Sequence, residues 1–595
     1  TSLTAPSLRN SPDCENNKNQ IEIKNNRIKI PHSYSQMILN SILNTERLIR
    51  MSDFVSVIYL WLIKNYTLGH IIDAYTMAKT FRLATQYPNF TAKKQISRHF
   101  LLGVSCMLVL SLSGCNTLPK PGHEVIQLAS QVDTSHTTLA KVVEPLRQQN
   151  PGLTGYHLLY DPLEALTARL KLIDKAEKSL DLQYYIWDND RVGALALHAI
   201  IRAADRGVKV RLLIDDNNAK QMEAVLLALS QHQNIEVKLF NPYRFRKFRA
   251  IDMVLDLKRI NRRMHNKSFI ADDQIALIGG RNMTNQYYNS SDNYQFSDVD
   301  VMLVGSAVDD IVHSFDDYWN DKYAYSVINI VNAKTHYLRY PELKRQLDEH
   351  YELANVQNYL NLAARSHAFD QWFNSNIQFD WVQAKVVKDS PDKIRGKAKK
   401  EQHLNFQLIK NLQKPEENVD LVSAYFVPEK QGAKHLSELA QNGVQVRVLT
   451  NSFKANDVSI VHAFYGKYRK ELLENGVQLY EFLPTLDEEE LNKDTRELAK
   501  EAKISLKGLS NSSLHAKMMT LDQKQVFIGS FNFDPRSAYL NTEIGVILNS
   551  PSLAKSIHQT MDQQLTHYAY KLVLDANHNI NSVSYTHLTL PTKRI

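Results

Sequence analysis

Hydrophobic and polar positions alternate through the middle of this chain in two rhythms, one of strands and one of helices. Residues 179–187 (SLDLQYYIW) read as a strand, the pattern over 193–206 has helical spacing, and 207–214 (GVKVRLLI) reads as a strand again. The same order returns at 419–427 (VDLVSAYFV), a helix over about 432–441, and 443–449 (GVQVRVL). A third strand follows each set, at 235–240 and 477–482. Two βαβ units in one chain are an internal duplication. They predict an α/β protein of two similar halves, with parallel pairing in sheets covered by helices on both faces.

The duplicated region sets the boundaries. A first half spans 151–330 and a second half 406–570, joined by a mostly helical, polar and aromatic connector over 331–405 that closes on the charged loop 388–400. Residues 116–150 read as a linker, and the acidic and basic run 487–503 as a solvated helical insertion in the second half.

The two ends read differently. Lys93, Lys94 and Arg98 lead into the apolar run 100–112, which closes on Leu112-Ser113-Gly114-Cys115. This is a charged region, an apolar region and a small-residue site, and at about 13 residues the run is too short for a comfortable bilayer span. The tetrapeptide resembles the lipobox of bacterial lipoprotein signal peptides, which implies a signal peptide over 93–115 and lipidation at Cys115. Residues 1–92 then read as a non-native or disordered upstream segment, with Met77 as a start. At the other end, 571–595 reads as a truncated or non-native tail, because 584–593 (SYTHLTLPTK) resembles a translated sequencing-library adapter.

With 595 residues, 43% of them hydrophobic and 23% charged, the chain sits in the ordinary globular range, which excludes wholesale disorder and a polytopic membrane protein. The net charge of +8 is concentrated: 244–263 holds eight basic residues against Asp252 and Asp256. The three cysteines, Cys14, Cys106 and Cys115, leave no disulfide framework or cysteine metal site for the body.

Each half ends in the same constellation. The first has His265, Lys267 and Asp272, then Gly279-Gly280-Arg281-Asn282; the second has His515, Lys517 and Asp522, then Gly529-Ser530-Phe531-Asn532. Both are His-x-Lys-x4-Asp with glycine at His+14 and asparagine at His+17, and the copies stand 250 residues apart. On a strand, residues i and i+2 share a face, so each His and Lys project side by side. A turn at Asp272 or Asp522 then returns the chain, and these two acids brace the hairpins rather than touch substrate. The glycines admit close approach of the backbone to whatever the His/Lys pair holds.

A phosphodiester asks for this inventory. Two ammonium groups and two amides surround the phosphoryl oxygens, one imidazole attacks phosphorus and the other protonates the leaving alkoxide, with no metal or cofactor required. A nucleophilic imidazole is held in one tautomer by a carboxylate on its other nitrogen. Glu543, 28 residues after His515, and Asp298 in the matching segment of the first half are the candidates, with Asp298 matching His265 by position and Asp300 as a competitor. Which acid orients which histidine is open at the level of sequence.

The paired motifs resemble those of the phospholipase D superfamily over the whole body from about 155 to 570. The resemblance implies α/β/α sandwich halves related by a pseudo-twofold axis, with the active site at their interface. It implies His265 as nucleophile, His515 as general acid and then base, and Lys267, Lys517, Asn282 and Asn532 as phosphate ligands. The form of the first motif, with Thr450-Asn451-Ser452 and Asp457, resembles bacterial cardiolipin synthases of the C type. The expected activity is transfer of a phosphatidyl group onto phosphatidylglycerol. Hydrolysis to phosphatidic acid uses the same residues; a nuclease fits less well with a duplicated, anchored chain, and an inert lipid-binding protein would have lost a motif residue.

The expected partners are phospholipids and a membrane surface rather than nucleic acid, for a monomer with two internal repeats. The expected place is the bacterial cell envelope facing the periplasm, at the outer membrane because Asn116 rather than aspartate follows Cys115. The basic stretch 243–263, interleaved with Phe245 and Phe248, suits anionic headgroups, a nucleic-acid backbone or a merely solvated helix face.

Overall fold

The computed structural model describes residues 118, 126–365, 379–456, 458–484 and 511–583. Residues 1–92, the signal segment with Cys115 and Asn116, Asp457, the run 487–503 and positions 584–595 lie outside them.

In chain order the first ten strands are β1 (Thr154–Leu159), β2 (Ser179–Tyr184), β3 (Lys209–Asp215), β4 (Ile235–Phe240), β5 (Ser268–Ala271), β6 (Ile275–Gly279), β7 (Gln295–Ser297), β8 (Asp300–Gly305), β9 (Ala324–Ser326) and β10 (Asp380–Val382). The next ten are β11 (Ala384–Lys388), β12 (Asn418–Ser423), β13 (Gln445–Asn451), β14 (Gln478–Phe482), β15 (Ser512–Leu514), β16 (Lys517–Leu521), β17 (Gln525–Gly529), β18 (Ile544–Leu548), β19 (Ala569–Leu574) and β20 (Ile580–Val583). They form two nine-stranded sheets, ordered β10-β1-β8-β6-β5-β2-β3-β4-β9 and β11-β18-β17-β16-β12-β13-β14-β19-β20. The run β8-β6-β5-β2-β3-β4-β9 of one repeats as β18-β17-β16-β12-β13-β14-β19 of the other, which is the duplication written in space.

The expected parallel pairing holds only where helices make the crossovers, among β2, β3 and β4 and among β12, β13 and β14. Elsewhere in the two sheets neighbouring strands run antiparallel, because β5–β6 and β16–β17 are joined by tight turns that can only reverse the chain. The helix expected over 193–206 is Arg191–Asp205, started by Asp190, whose side chain accepts from Gly193 N–H. Its counterpart is Glu429–Gln441.

The inner faces of the sheets share one core. Ile270, Ile278, Val301 and Leu303 of the first half pack with Val526, Ile528, Val546 and Leu548 of the second, flanked by Phe315 and Trp319 from helix Ser306–Trp319 and Met561 and Leu565 from helix Pro551–Tyr568. Separate cores cover the two outer faces.

Several boundaries move. The connector is helical at Tyr340–Tyr351 and Ala354–Arg365, as expected, but its end supplies β10 to one sheet and β11 to the other. The linker contains helix Thr138–Gln149, and β19 and β20 extend the second sheet to Val583, beyond the boundary read at 570.

The expected bracing role of Asp272 and Asp522 is met in detail. Asp272 accepts from the backbone N–H groups of Glu177, Lys178 and Ser179 at 2.7–3.2 Å, and Asp522 from those of Glu416, Glu417 and Asn418 at 2.8–3.1 Å. Each carboxylate thereby ties its hairpin to the start of the neighbouring β2 or β12. Both acids and the residues after them have positive φ, from 48° to 54°, as a primed turn demands. Replacing Asp272 by glycine keeps that backbone conformation and deletes only the carboxylate. Asp272→Gly should lower unfolding stability by about 2–3 kcal/mol, the cost of orphaning buried donors, as read by denaturant titration.

Candidate active site

Each catalytic-type histidine stands just before its hairpin rather than on a strand, and its backbone is bonded to the opposite half. His265 N–H donates to Thr542 C=O at 2.9 Å, and Thr542 N–H donates to Arg263 C=O at 3.0 Å. In the second half β15 pairs in parallel with β7, and His515 N–H donates to Ser297 C=O at 2.7 Å. Thr542 and Ser297 immediately precede Glu543 and Asp298.

The side chains cross in the same way. His265 Nδ1 lies 2.8 Å from Glu543 Oε2, and His515 Nδ1 lies 2.6 Å from Asp298 Oδ2. The match of Asp298 to His265 by position is therefore corrected: each acid serves the histidine of the other half. Asp300, the competitor, points away to Arg169 at 2.7 Å. With Nδ1–H given to a carboxylate, Nε2 of each ring carries the lone pair that can attack or accept a proton.

The first-half glycines make room for acids, and Gly529 for the backbone of Ile544 and Gly545, which corrects the expectation that they make room for substrate. A Cβ on Gly280 would lie 2.3 Å from Asp298 Oδ1, and one on Gly279 2.1 Å from Asp300 Oδ1. The second half has Ser530 in place of Gly280 and the longer glutamate in place of aspartate. There the Ser530 hydroxyl donates to Glu543 Oε2 at 2.5 Å, and Ser537 Oγ donates to Glu543 Oε1 at 2.8 Å. Behind it, Asp389 Oδ2 accepts from Glu543 N–H at 3.0 Å and from buried Lys393 Nζ at 2.9 Å, so the charged connector loop buttresses the site.

Lys267 and Lys517 are buried beside their histidines, and each ammonium donates to the histidine's own carbonyl. Lys517 Nζ is also 2.9 Å from His515 Nδ1, but that nitrogen cannot donate to Asp298 and accept from Lys517 at once. The closer, charged carboxylate fixes it as a donor. Asn282 donates through Nδ2 to Tyr287 OH at 2.8 Å, and Tyr287 OH lies 3.3 Å from His515 Nε2. Asn532 is buried, and its side-chain oxygen has no hydrogen-bond partner among the described residues.

Sequence reasoning missed Tyr185, Tyr287, Ser530, Ser537 and Asp389. The Tyr185 ring meets His265 edge-on at 5.0 Å, with Lys267 Nζ 5.4 Å from its centroid. One signal was present: Tyr287 and Ser537 are hydroxyls at the same Asn+5 offset in both halves. Asn451, flagged only by resemblance, holds the strand before His515 through Leu514 C=O at 2.8 Å and Leu514 N–H at 2.9 Å.

Burial sets the resting charge. It pushes His265 down to about 4, with Glu543 opposing and Lys267 and Lys517 reinforcing. His515 is driven well below the usual imidazole range by burial and the same lysines, and Lys267 falls to about 7 because it is buried, with Glu543 opposing and Lys517 reinforcing. For Glu543, burial is outweighed by His265, Lys267 and Ser530, and its carboxyl is held below the ordinary value. For Asp298, burial prevails over Lys517 and Arg281, and its carboxyl is held above it. The site thus holds two neutral imidazoles and two buried lysines that face the Glu543 and Asp298 carboxylates. An arriving phosphodiester brings further negative charge and raises the values of His265, His515 and Lys267.

Two duplicated halves that meet at a double His/Lys site define a phospholipase D-type fold, and the chain belongs to that family: the family described as "Cardiolipin synthase, PLD-like domain" matches residues 170–319 and 408–565. Among individual relatives, the chain is 39% identical to cardiolipin synthase C of Escherichia coli K12 over 452 residues, covering 75% of this chain and 92% of that one. An uncharacterised Helicobacter pylori protein is 31% identical, covering 75% and 87% of the two chains. Cardiolipin synthase 1 of Bacillus anthracis is 24% identical, covering 70% and 67%.

The crossed pairing makes Glu543→Gln a lesion of the other half. It leaves His265 without its orienting charge and should reduce turnover of a phosphodiester by about 10⁴-fold, a loss of the size that follows when a paired imidazole is left in the wrong tautomer. Acid stability offers a second check. His265 stays neutral in the fold down to about pH 4, whereas the unfolded chain protonates it near 6.5, so across that window the unfolded state binds more protons and stability falls as pH is lowered. Unfolding measured from pH 6.5 to 4 should lose less stability in His265→Gln than in the parent.

Proposed function

We propose that this protein is a phosphatidyltransferase that makes cardiolipin from phosphatidylglycerol and another phospholipid through a phosphohistidine. The observation that carries the reading is the pair of buried imidazoles with Nδ1 committed to a carboxylate across the interface, which leaves two Nε2 atoms and two buried lysines at one site. The similarity to cardiolipin synthase C over most of both chains supports the choice among phosphodiester chemistries.

His265 Nε2 attacks phosphorus, forming a P–N bond as the P–O bond to the donor's alcohol breaks. His515, protonated on Nε2 once the substrate's charge has raised its pKa, gives its proton to the departing alkoxide. The hydroxyl of a phosphatidylglycerol then surrenders its proton to His515 Nε2 and attacks phosphorus, and the P–N bond breaks. Lys267, Lys517 and the Asn532 amide hold the phosphoryl oxygens, whose charge grows in each transition state. Tyr287 engages one hydrogen of the Asn282 amide and leaves the second for phosphate. The enzyme acts from the periplasmic side of a bacterial envelope, at the outer membrane, held by a lipid on Cys115. The basis of that placement is the apolar run, its small-residue site and Asn116.

Incubated with vesicles of phosphatidylglycerol and phosphatidylethanolamine, the protein should form cardiolipin, identified by mass, and His265→Ala should lose at least about 10³-fold of the rate. Phosphatidic acid as the sole product would make it a hydrolase, and intact lipid beside degraded DNA would overturn the lipid reading. Cys115→Ser should move the protein from the membrane fraction to the soluble one; an unchanged distribution would remove the anchor.

A further inference from the structure

The basic stretch 243–263 is not the charged surface its sequence suggests. Arg246 pairs with Asp216 at 2.8 Å and Glu223 at 2.6 Å, Arg249 with Asp216 at 3.3 Å, and Arg263 with Asp215 at 3.1 Å. Arg259 is held by Asp256 at 2.7 Å and by Asn241 and Pro242, and Arg262 donates to Lys393 C=O. Phe245 is buried. These groups fold the loop down onto the carboxyl ends of β3 and β4 and fix the approach to His265.

What remains outside is apolar. Phe248 is 69% exposed, and Val254, Leu255 and Leu257 follow it on the helices Arg249–Leu255 and Leu257–Ile260, with Lys247 and Lys258 exposed among them. A second patch lies beyond the carboxyl end of β13. Phe453 and Ile460 are both 63% exposed, Phe464 projects from helix Ser459–Gly466, and Lys454 and Lys467 are exposed beside them. Lys467 Nζ sits 4.6 Å from the Phe464 ring centroid.

Both patches connect to the catalytic histidines through short chains of contacts. Asn217, next to the acid that Arg246 and Arg249 grip, donates to Tyr185 OH and accepts from Tyr243 OH, and the Tyr185 ring faces His265. Asn451, two residues before Phe453, holds Leu514 beside His515.

We infer that these two patches form one docking face for an anionic phospholipid bilayer, with Phe248, Leu255, Phe453, Ile460 and Phe464 entering the acyl boundary and the exposed lysines meeting phosphate headgroups. The inference rests on the phosphatidyltransferase reading, since it explains how lipid in a membrane reaches a buried site. Exposed large side chains rarely cluster without a partner. Acids turned inward with lysines left outward give the face a positive rim that suits phosphatidylglycerol. The face also works without the Cys115 anchor, which sets where the protein is held but not which side of it meets lipid.

The test uses the full chain carrying Cys115→Ser, so that no acyl anchor contributes, and co-sedimentation with vesicles of phosphatidylglycerol and phosphatidylethanolamine. Phe248→Asp, Leu255→Asp and Phe464→Asp together should weaken partitioning between about 10- and 100-fold, and Lys247→Gln, Lys258→Gln, Lys454→Gln and Lys467→Gln should weaken it in a salt-dependent way. Turnover of lipid in vesicles should fall with it, while turnover of short-chain phosphatidylglycerol dispersed as monomers should remain at the parent level. The glutamine set guards against misfolding of the aspartate set. His265→Ala should bind vesicles like the parent. Unchanged partitioning in both sets overturns the face, as does loss of DNA binding with vesicle binding intact. Vesicle binding through this face without any lipid product would retain the face and reject the transferase.

Discussion

Two short contacts between a buried imidazole and a buried carboxylate fix this molecule, and both run from one half to the other. A carboxylate taken out of water without a partner carries a penalty of several kcal/mol, and neither Glu543 nor Asp298 finds a histidine in its own half. The halves therefore cannot dock in a shifted register and keep their acids satisfied. The backbone pairs at Met264–Thr542 and β7–β15 follow the same twofold logic and hold each histidine within reach. Local differences compensate one another: aspartate lies against glycine at 280, glutamate against a hydroxyl at 530.

Much of this was legible in sequence where local rules govern. The βαβ strands and the turns at Asp272 and Asp522 depend on neighbours a few residues away, and the structure places them as read, whereas both histidines stand just before the hairpin strands. The exchange of acids was not legible, because pairing within a half and pairing between halves leave identical spacings. Strand order beyond the βαβ units and the two hairpins was not legible, because an apolar run does not announce which strand it will lie beside. Arginines at 246, 249 and 263 looked like surface charge, since their partners Asp215, Asp216 and Glu223 lie well upstream in a different element. Asp389 and Lys393 could not be connected to Glu543 by any local pattern.

The resting electrostatics suit a site that waits for an anion. Burial strips charge from the histidines and lowers Lys267 to about 7, so the imidazoles rest neutral and this lysine sits near its midpoint. The substrate's own phosphate completes the balance. A neutral lipid or an alcohol brings no such charge.

The crossed acids also bear on how such a chain can change over generations. A repeat that kept its own acid could drift apart from its twin, tolerate loss of function in one copy and be traded between relatives by recombination. Here each copy carries the acid for the other copy's histidine, so His265 with Glu543 and His515 with Asp298 are matched pairs spanning both copies, while Gly280 with Asp298 and Ser530 with Glu543 are matched within one. A duplication that began as redundancy has become mutual dependence.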